Sequence, residues 1–258
     1  MRKIIFTNQK GGVGKTTLTR EVGIALTRRK LRVLLIDCDP QGNLTKSLLD
    51  SSRDDETETK KSRAGVYEAM EGESVRPYEV AESLSLLTGD ERLAALERRY
   101  IGEVDAYERL SAALTEKLLK KYDVVLLDSP PSLSVMTLNA LVAATHFIIP
   151  LRPALYSLHG TNDLLSSVAK VKKSLNPDLE LLGVIINEYT PGPIISRQLR
   201  EEIEEGFGKA VFQTAVSRTV KVEEAIASRR GVVDEPEGTK IRQELEAIAM
   251  ELCERLGL

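Results

Sequence analysis

Tryptophan is absent from this 258-residue chain, and aromatic residues make up only 4% of it. A core must therefore be aliphatic; a hydrophobic content of 42% is enough to pack one, and 258 residues allow one large α/β domain or two small ones. Cysteine is scarce too. Cys38 and Cys253 form no C-x-x-C pair and no metal-ligand spacing, so they read as two buried thiols in a reducing cytoplasm. The two histidines, His146 and His159, have no partner cluster and are expected to be structural. No uncharged run approaches the roughly 18 residues of a membrane span. Met1-Arg2-Lys3 runs directly into an apolar strand, which leaves no room for a leader peptide. A net charge of −3 excludes a bulk polycation, although a local basic patch would not show in it. The expectation is a soluble intracellular protein.

What is present begins at Ile4-Ile5-Phe6, a short buried-strand run. It is followed by Thr7-Asn8-Gln9-Lys10-Gly11-Gly12-Val13-Gly14-Lys15-Thr16-Thr17 and then by helical spacing at Leu18, Val22, Ala25 and Leu26. A glycine-rich turn between strand and helix lets successive backbone N–H groups point at one anion, and the helix dipole adds positive potential. In such a loop Lys15 reaches the β- and γ-phosphates and the Thr16 hydroxyl binds Mg²⁺. The usual G-x-x-x-x-G-K-[ST] spacing asks for glycine where Gln9 stands, and a second lysine, Lys10, opens the loop. Two ammonium groups at one loop repel by roughly 1 kcal/mol at 4 Å in water. A lysine at the outer edge would instead reach a nucleotide held by a second subunit, coupling ATP binding to dimerisation.

Two further strand-like runs end in carboxylates. Arg32-Val33-Leu34-Leu35-Ile36-Asp37 continues into Cys38-Asp39-Pro40-Gln41-Gly42-Asn43, which puts Asp37 and Asp39 beyond a strand end. An Asx-Pro turn would account for them in isolation. Beside a phosphate loop they suit the ligand side of a parallel sheet. Val124-Val125-Leu126-Leu127-Asp128 is a Walker B in type, with Asp128 placed to hold the Mg²⁺ shell.

The loop resembles the deviant Walker A of the ParA/MinD group of ATPases, and Thr7-Asn8-Gln9 is similar to its ParA/Soj branch, which segregates chromosomes and plasmids. The resemblance implies a single doubly wound α/β domain over residues 1–258, a mostly parallel sheet with helices on both faces. Within it Lys10 matches the signature lysine that contacts the partner subunit's nucleotide, and Lys10 to Thr17 form the phosphate cradle. Asp37-Cys38-Asp39-Pro40-Gln41-Gly42-Asn43 is similar to the family's D-x-D-P-Q-G-N. By that match Asp37 lies near Mg²⁺ and Asp39 positions or activates the attacking water. Asp128-Ser129-Pro130-Pro131-Ser132 resembles switch II. Asn187 matches a strand-end position near the adenine base, although capping the turn before Thr190-Pro191-Gly192-Pro193 explains it equally well. Val216 to Ala225 resembles the stretch whose basic residues contact the DNA backbone, preserved here as Arg218 and Lys221, with Ser217 in place of proline.

The resemblance thus implies a slow Mg²⁺- and ATP-dependent enzyme, catalytic through Lys10, Lys15 and Asp39, with Thr16, Asp37 and Asp128 at the metal. Its partners would be a second copy of itself, non-specific DNA and a ParB-like protein, and its place the cytoplasm, on the nucleoid. Two alternatives share the build: a MinD-like membrane-surface regulator and a positioning ATPase for a non-DNA cargo. The closing Glu251 to Leu258, with two acids and one base, lacks a membrane-binding basic face. Reductases resembling nitrogenase iron protein need cluster-ligating cysteines that Cys38 and Cys253 do not provide.

Along the remaining chain, 51–63 has no apolar residue and reads as a solvated loop. The spacing of Leu110, Ala113, Leu114 and Leu118 predicts one helix over 106–120. Strands are expected at 84–87, 146–150, 181–187 and, more weakly, 210–212, with helices at 160–174, 196–207 and 241–256.

Overall fold

The computed structural model describes residues 1–49, 65–154 and 157–258. The segment 51–63 and the side chain of His159 lie outside the described residues. The chain runs β1 (Arg2–Phe6), α1 (Lys15–Arg28), β2 (Val33–Asp37), α2 (Asn43–Leu48), α3 (Val66–Met70), β3 (Tyr78–Ala81), β4 (Leu84–Leu87) and α4 (Leu93–Arg99). It continues through α5 (Arg109–Ala113), α6 (Glu116–Leu119), β5 (Val124–Asp128), α7 (Val135–Ala143), β6 (His146–Leu151) and α8 (Ser157–Ser174). It closes with β7 (Glu180–Ile186), α9 (Ile194–Phe207), α10 (Lys221–Ala227) and α11 (Lys240–Leu256).

Among the described residues seven strands form one sheet in the order β3-β4-β2-β5-β1-β6-β7. All pairings are parallel except β3 with β4. Aliphatic runs with no polar alternation occupy its centre, because a parallel strand covered by helices on both sides has no solvent face. The alternation of strand side chains sorts the core into two layers. Ile4, Phe6, Leu35 and Leu126 pack with Leu18, Val22 and Leu26 of α1 and Leu245, Ile248 and Leu252 of α11. Ile5, Leu34, Ile36, Val125 and Leu127 pack on the other face, with Met136 and Leu141 of α7 and Leu164 of α8. Each fully buried Leu or Ile stabilises this arrangement by about 1.5–3 kcal/mol before entropy is counted. The doubly wound architecture is the one the resemblance implies.

Two local expectations are corrected and one element is added. The helix predicted over 106–120 is two short helices, α5 and α6. Thr115 between them is extended, and its hydroxyl accepts the Leu118 N–H to start α6. The weak strand at 210–212 reduces to one parallel bridge, Val184 with Val211. The antiparallel edge strand β3 is an addition; its alternately exposed residues, Tyr-Glu-Val-Ala, carry too short a pattern to stand out. No helix among the described residues is long and apolar enough to cross a membrane.

Candidate nucleotide site

Phe6, Asp37 and Asp128 are register partners across β1, β5 and β2, so three strands end at one level. The loops that follow them share the carboxyl edge of the sheet, beside the point where β1 lies between β5 and β6. Asn8 shapes the first loop. Its amide donates to the Pro150 carbonyl at 2.8 Å, and its Oδ1 accepts the Lys10 N–H at 2.9 Å. Gly14, at φ 88°, is the N-cap of α1. A left-handed residue that close to the Asn187 amide has no room for a Cβ, which is why only glycine fits. No side chain caps α1, so its first N–H groups and its positive dipole end are left for a ligand.

The charged groups converge there. Lys15 is buried and donates from Nζ to the Lys10 carbonyl at 3.2 Å. Burial lowers its pKa, while Asp128 and Asp39 pull it back up. Thr16 Oγ1 donates to Asp128 Oδ2 at 2.6 Å, and the other carboxylate oxygen of Asp128 is buried without a hydrogen-bond partner. Burial first, and the neighbouring Asp37 second, push the Asp128 carboxyl well above the usual range. Such a group gains from a nearby cation. Asp37 is pushed up to about 6 by burial, against its hydrogen bonds from Thr45. Its Oδ2 accepts both the N–H and the hydroxyl of Thr45, at 2.8 and 2.7 Å, and Oδ1 accepts the Asp39 N–H at 3.2 Å. Asp39 is 6% exposed and closes the Asp-Pro-Gln turn by accepting the Gln41 N–H at 2.9 Å. The turn and the placement at the cavity are thus both present in one residue.

A cavity of about 620 Å³ opens in front of these groups, lined by Gly11, Gly12, Gly14, Lys15, Thr16, Thr17, Asp39 and Pro131. Lys10 is exposed, next to the loop. Val13 is buried and does not line the cavity; its carbonyl accepts the Asn187 amide at 2.9 Å. Asn187 therefore braces the phosphate loop from behind. A larger cleft of about 690 Å³, between 69–75 and 105–121, gathers none of the candidate site residues named from the sequence. Among the described residues no group of three or more His, Cys, Asp or Glu side chains is placed to hold a metal alone. Thr16 and Asp128 would complete a shell only with oxygens brought by a ligand.

Arg218 and Lys221 lie at a separate depression of about 300 Å³, with Tyr189, Thr190, Pro191 and Lys240. Arg218 is exposed. Lys221 Nζ stands 3.2 Å from Glu235 and 3.7 Å from Glu224, and Lys240 is 3.6 Å from Glu244. Sequence reasoning missed Thr45, which holds Asp37, and Arg20 and Arg229, which line the phosphate cavity. No motif marks them; they arrive from the second turn of α1, from α2 and from the segment after α10.

The family described as an AAA domain matches residues 1–181. The chromosome-partitioning ATPase Soj of Thermus thermophilus is 36% identical over 226 residues, 87% of this chain and 84% of that protein. The sporulation initiation inhibitor protein Soj of Bacillus subtilis is 35% identical over 237 residues, 90% of this chain and 91% of that one. Among solved structures, cobyrinic acid a,c-diamide synthase from Mycobacterium smegmatis, with bound ATP analogue and magnesium, superposes with a TM-score of 0.81. It is 30% identical, over 100% of this chain and 96% of that one. With its phosphate loop, its paired strand-end carboxylates and these relatives along most of its length, the chain belongs to the ParA/Soj family of partitioning ATPases.

Proposed function

We propose that this chain, acting as one P-loop domain over residues 1–258, is a slow Mg²⁺-dependent ATPase. Its ATP-bound form pairs as a sandwich homodimer and binds DNA without sequence preference. It partitions a chromosome or plasmid in the cytoplasm, on the nucleoid, with a ParB-like protein that stimulates hydrolysis. The observation that carries this reading is the meeting of Lys15, Thr16 and Asp39 at one cavity beneath an uncapped helix terminus, with buried Asp128 joined to it through the Thr16 hydroxyl.

The donor set fits a magnesium-bound triphosphate. Gly11 to Thr17 offer backbone N–H groups and Lys15 offers a charge to the phosphate chain. Thr16 and the unpartnered oxygen of Asp128 would hold Mg²⁺, with Asp37 behind them. The metal, when bound, supplies charge neutralisation across the β- and γ-phosphates. Asp39 orients a water for in-line attack and takes its proton as the new P–O bond forms and the bridging P–O bond to ADP breaks; the proton then leaves with the phosphate. Lys15 balances charge on the transferring group. Lys10, exposed beside the loop, reaches the nucleotide of a second copy. Val13 and Asn187 hold the loop's shape through the hydrogen bond between them.

A second reading, a positioning ATPase of the same build with a non-DNA cargo, is favoured by one observation. Lys221 and Lys240 are already paired with Glu235, Glu224 and Glu244. Binding to arbitrary duplex DNA, with ATP, ADP or no nucleotide at several salt concentrations, separates the two. ATP-specific binding is expected, and Arg218→Ala with Lys221→Ala should lower the salt slope by about 2 to 4, at about 0.9 per phosphate contact in each of two subunits. ATP-dependent dimers that bind no DNA would favour the non-DNA cargo, and an unchanged slope would place the DNA surface elsewhere.

A further inference from the structure

α10 ends in a turn that glycine ordinarily fills. The Arg229 N–H donates to the Ile226 carbonyl at 3.0 Å and the Arg230 N–H to the Ala225 carbonyl at 2.9 Å. This is a left-handed helix stop, in which the residue at the turn needs positive φ. That residue is Arg229, at φ 52°. A long side chain in this region is disfavoured, and such conformations persist only where the surroundings impose them.

Here α1 imposes it. Buried Arg20 donates to the Arg230 carbonyl at 2.9 Å, and Glu21, ion-paired with Arg20, accepts the Val232 N–H at 2.7 Å. Arg28 pairs with Asp234 two residues further on. Two buried charged side chains of the phosphate-loop helix thus hold the backbone just beyond Arg229, and Arg229 itself lines the phosphate cavity with Lys15, Thr17 and Asp39. Asn187, the base-side position by resemblance, does not line it.

Resting on the reading of this cavity as the nucleotide site, we propose that Arg229 is a further nucleotide-binding residue, contacting the phosphate chain of bound ATP. A guanidinium is suited to this because its fork of donors matches phosphate oxygens in pairs. The left-handed turn places it at the cavity that the loop also lines, adding a cation from an element that no phosphate-loop motif includes.

The test uses Arg229→Gly, which relieves the left-handed turn, and Arg229→Asn, which tolerates it without the charge. Affinities for Mg²⁺–ATP and Mg²⁺–ADP are measured by titration beside thermal melting. Both variants should bind the two nucleotides about tenfold more weakly, as expected for loss of one charged hydrogen bond. Arg229→Gly should at the same time melt about 2 °C higher without nucleotide. Nucleotide affinities within twofold of wild type in both variants would overturn the inference while leaving the ATPase reading intact. A wild-type chain that binds neither nucleotide would overturn both.

Discussion

Replacing Asn187 by alanine distinguishes a base reader from a brace. The side chain is 4% exposed and its amide donates at 2.9 Å to the carbonyl of Val13, itself 2% exposed. Alanine would leave that carbonyl buried without its partner. The cost of such a group is about 1–3 kcal/mol, and for a chain of this size each kcal/mol lowers Tm by about 2–4 °C. A fall of about 2–12 °C is therefore expected in thermal melting without any nucleotide. The slackened loop should then bind ATP and GTP more weakly by a similar factor, because both present the same triphosphate to it. A residue that only reads adenine would behave in the opposite way, with an unchanged melt and a changed ratio of ATP to GTP affinity in competition. An unaltered nucleotide-free Tm would refute the brace.

Gly14→Ala should do more damage than Asn187→Ala. It forces a side chain into φ 88°, at about 1–2 kcal/mol, and drives the new methyl into the same amide; tight binding of a fluorescent ATP analogue by this variant would contradict the geometry. Asp39→Ala should bind ATP with near wild-type affinity yet release phosphate about 10²–10⁴-fold more slowly, since it removes the group that orients water and not one that holds phosphate. Phosphate release at the wild-type rate would remove Asp39 from the chemistry.

Much of the fold was legible because its central strands advertise themselves. Val33 to Asp37 and Val124 to Asp128 are aliphatic without alternation, a pattern that only a two-sided cover of helices explains. The loop after β1 located the site, since a glycine-rich strand-to-helix turn has few other uses. Where the reading failed, short-range competition decided. The leucine spacing across 106–120 is helical, yet Thr115 caps a new helix with its own hydroxyl and splits the run in two. At β3 the pairing with β4 supplies the order that Tyr-Glu-Val-Ala does not encode alone.

The site divides along the same line. Residues placed by their neighbours in sequence are legible, because Lys15, Thr16 and Asp39 are brought to the cavity by the turns they belong to. Residues that act across the fold are not. Thr45 holds Asp37 from eight positions away, and Arg229 lines the same cavity as the phosphate loop from more than 200 positions away. The basic face shows the limit most plainly. Arg218 and Lys221 line one depression, but the charge they offer depends on Glu235, fourteen residues beyond Lys221 and brought to it by the turn after α10. Lys221 is solvent-exposed, so the pair contributes little to stability. For an arriving phosphate it matters more, because Lys221 must exchange Glu235 for the phosphate, and only the difference between the two pairings counts toward affinity. Glu235→Gln should therefore strengthen binding to DNA while leaving the melt almost unchanged, a combination that a merely structural ion pair would not produce.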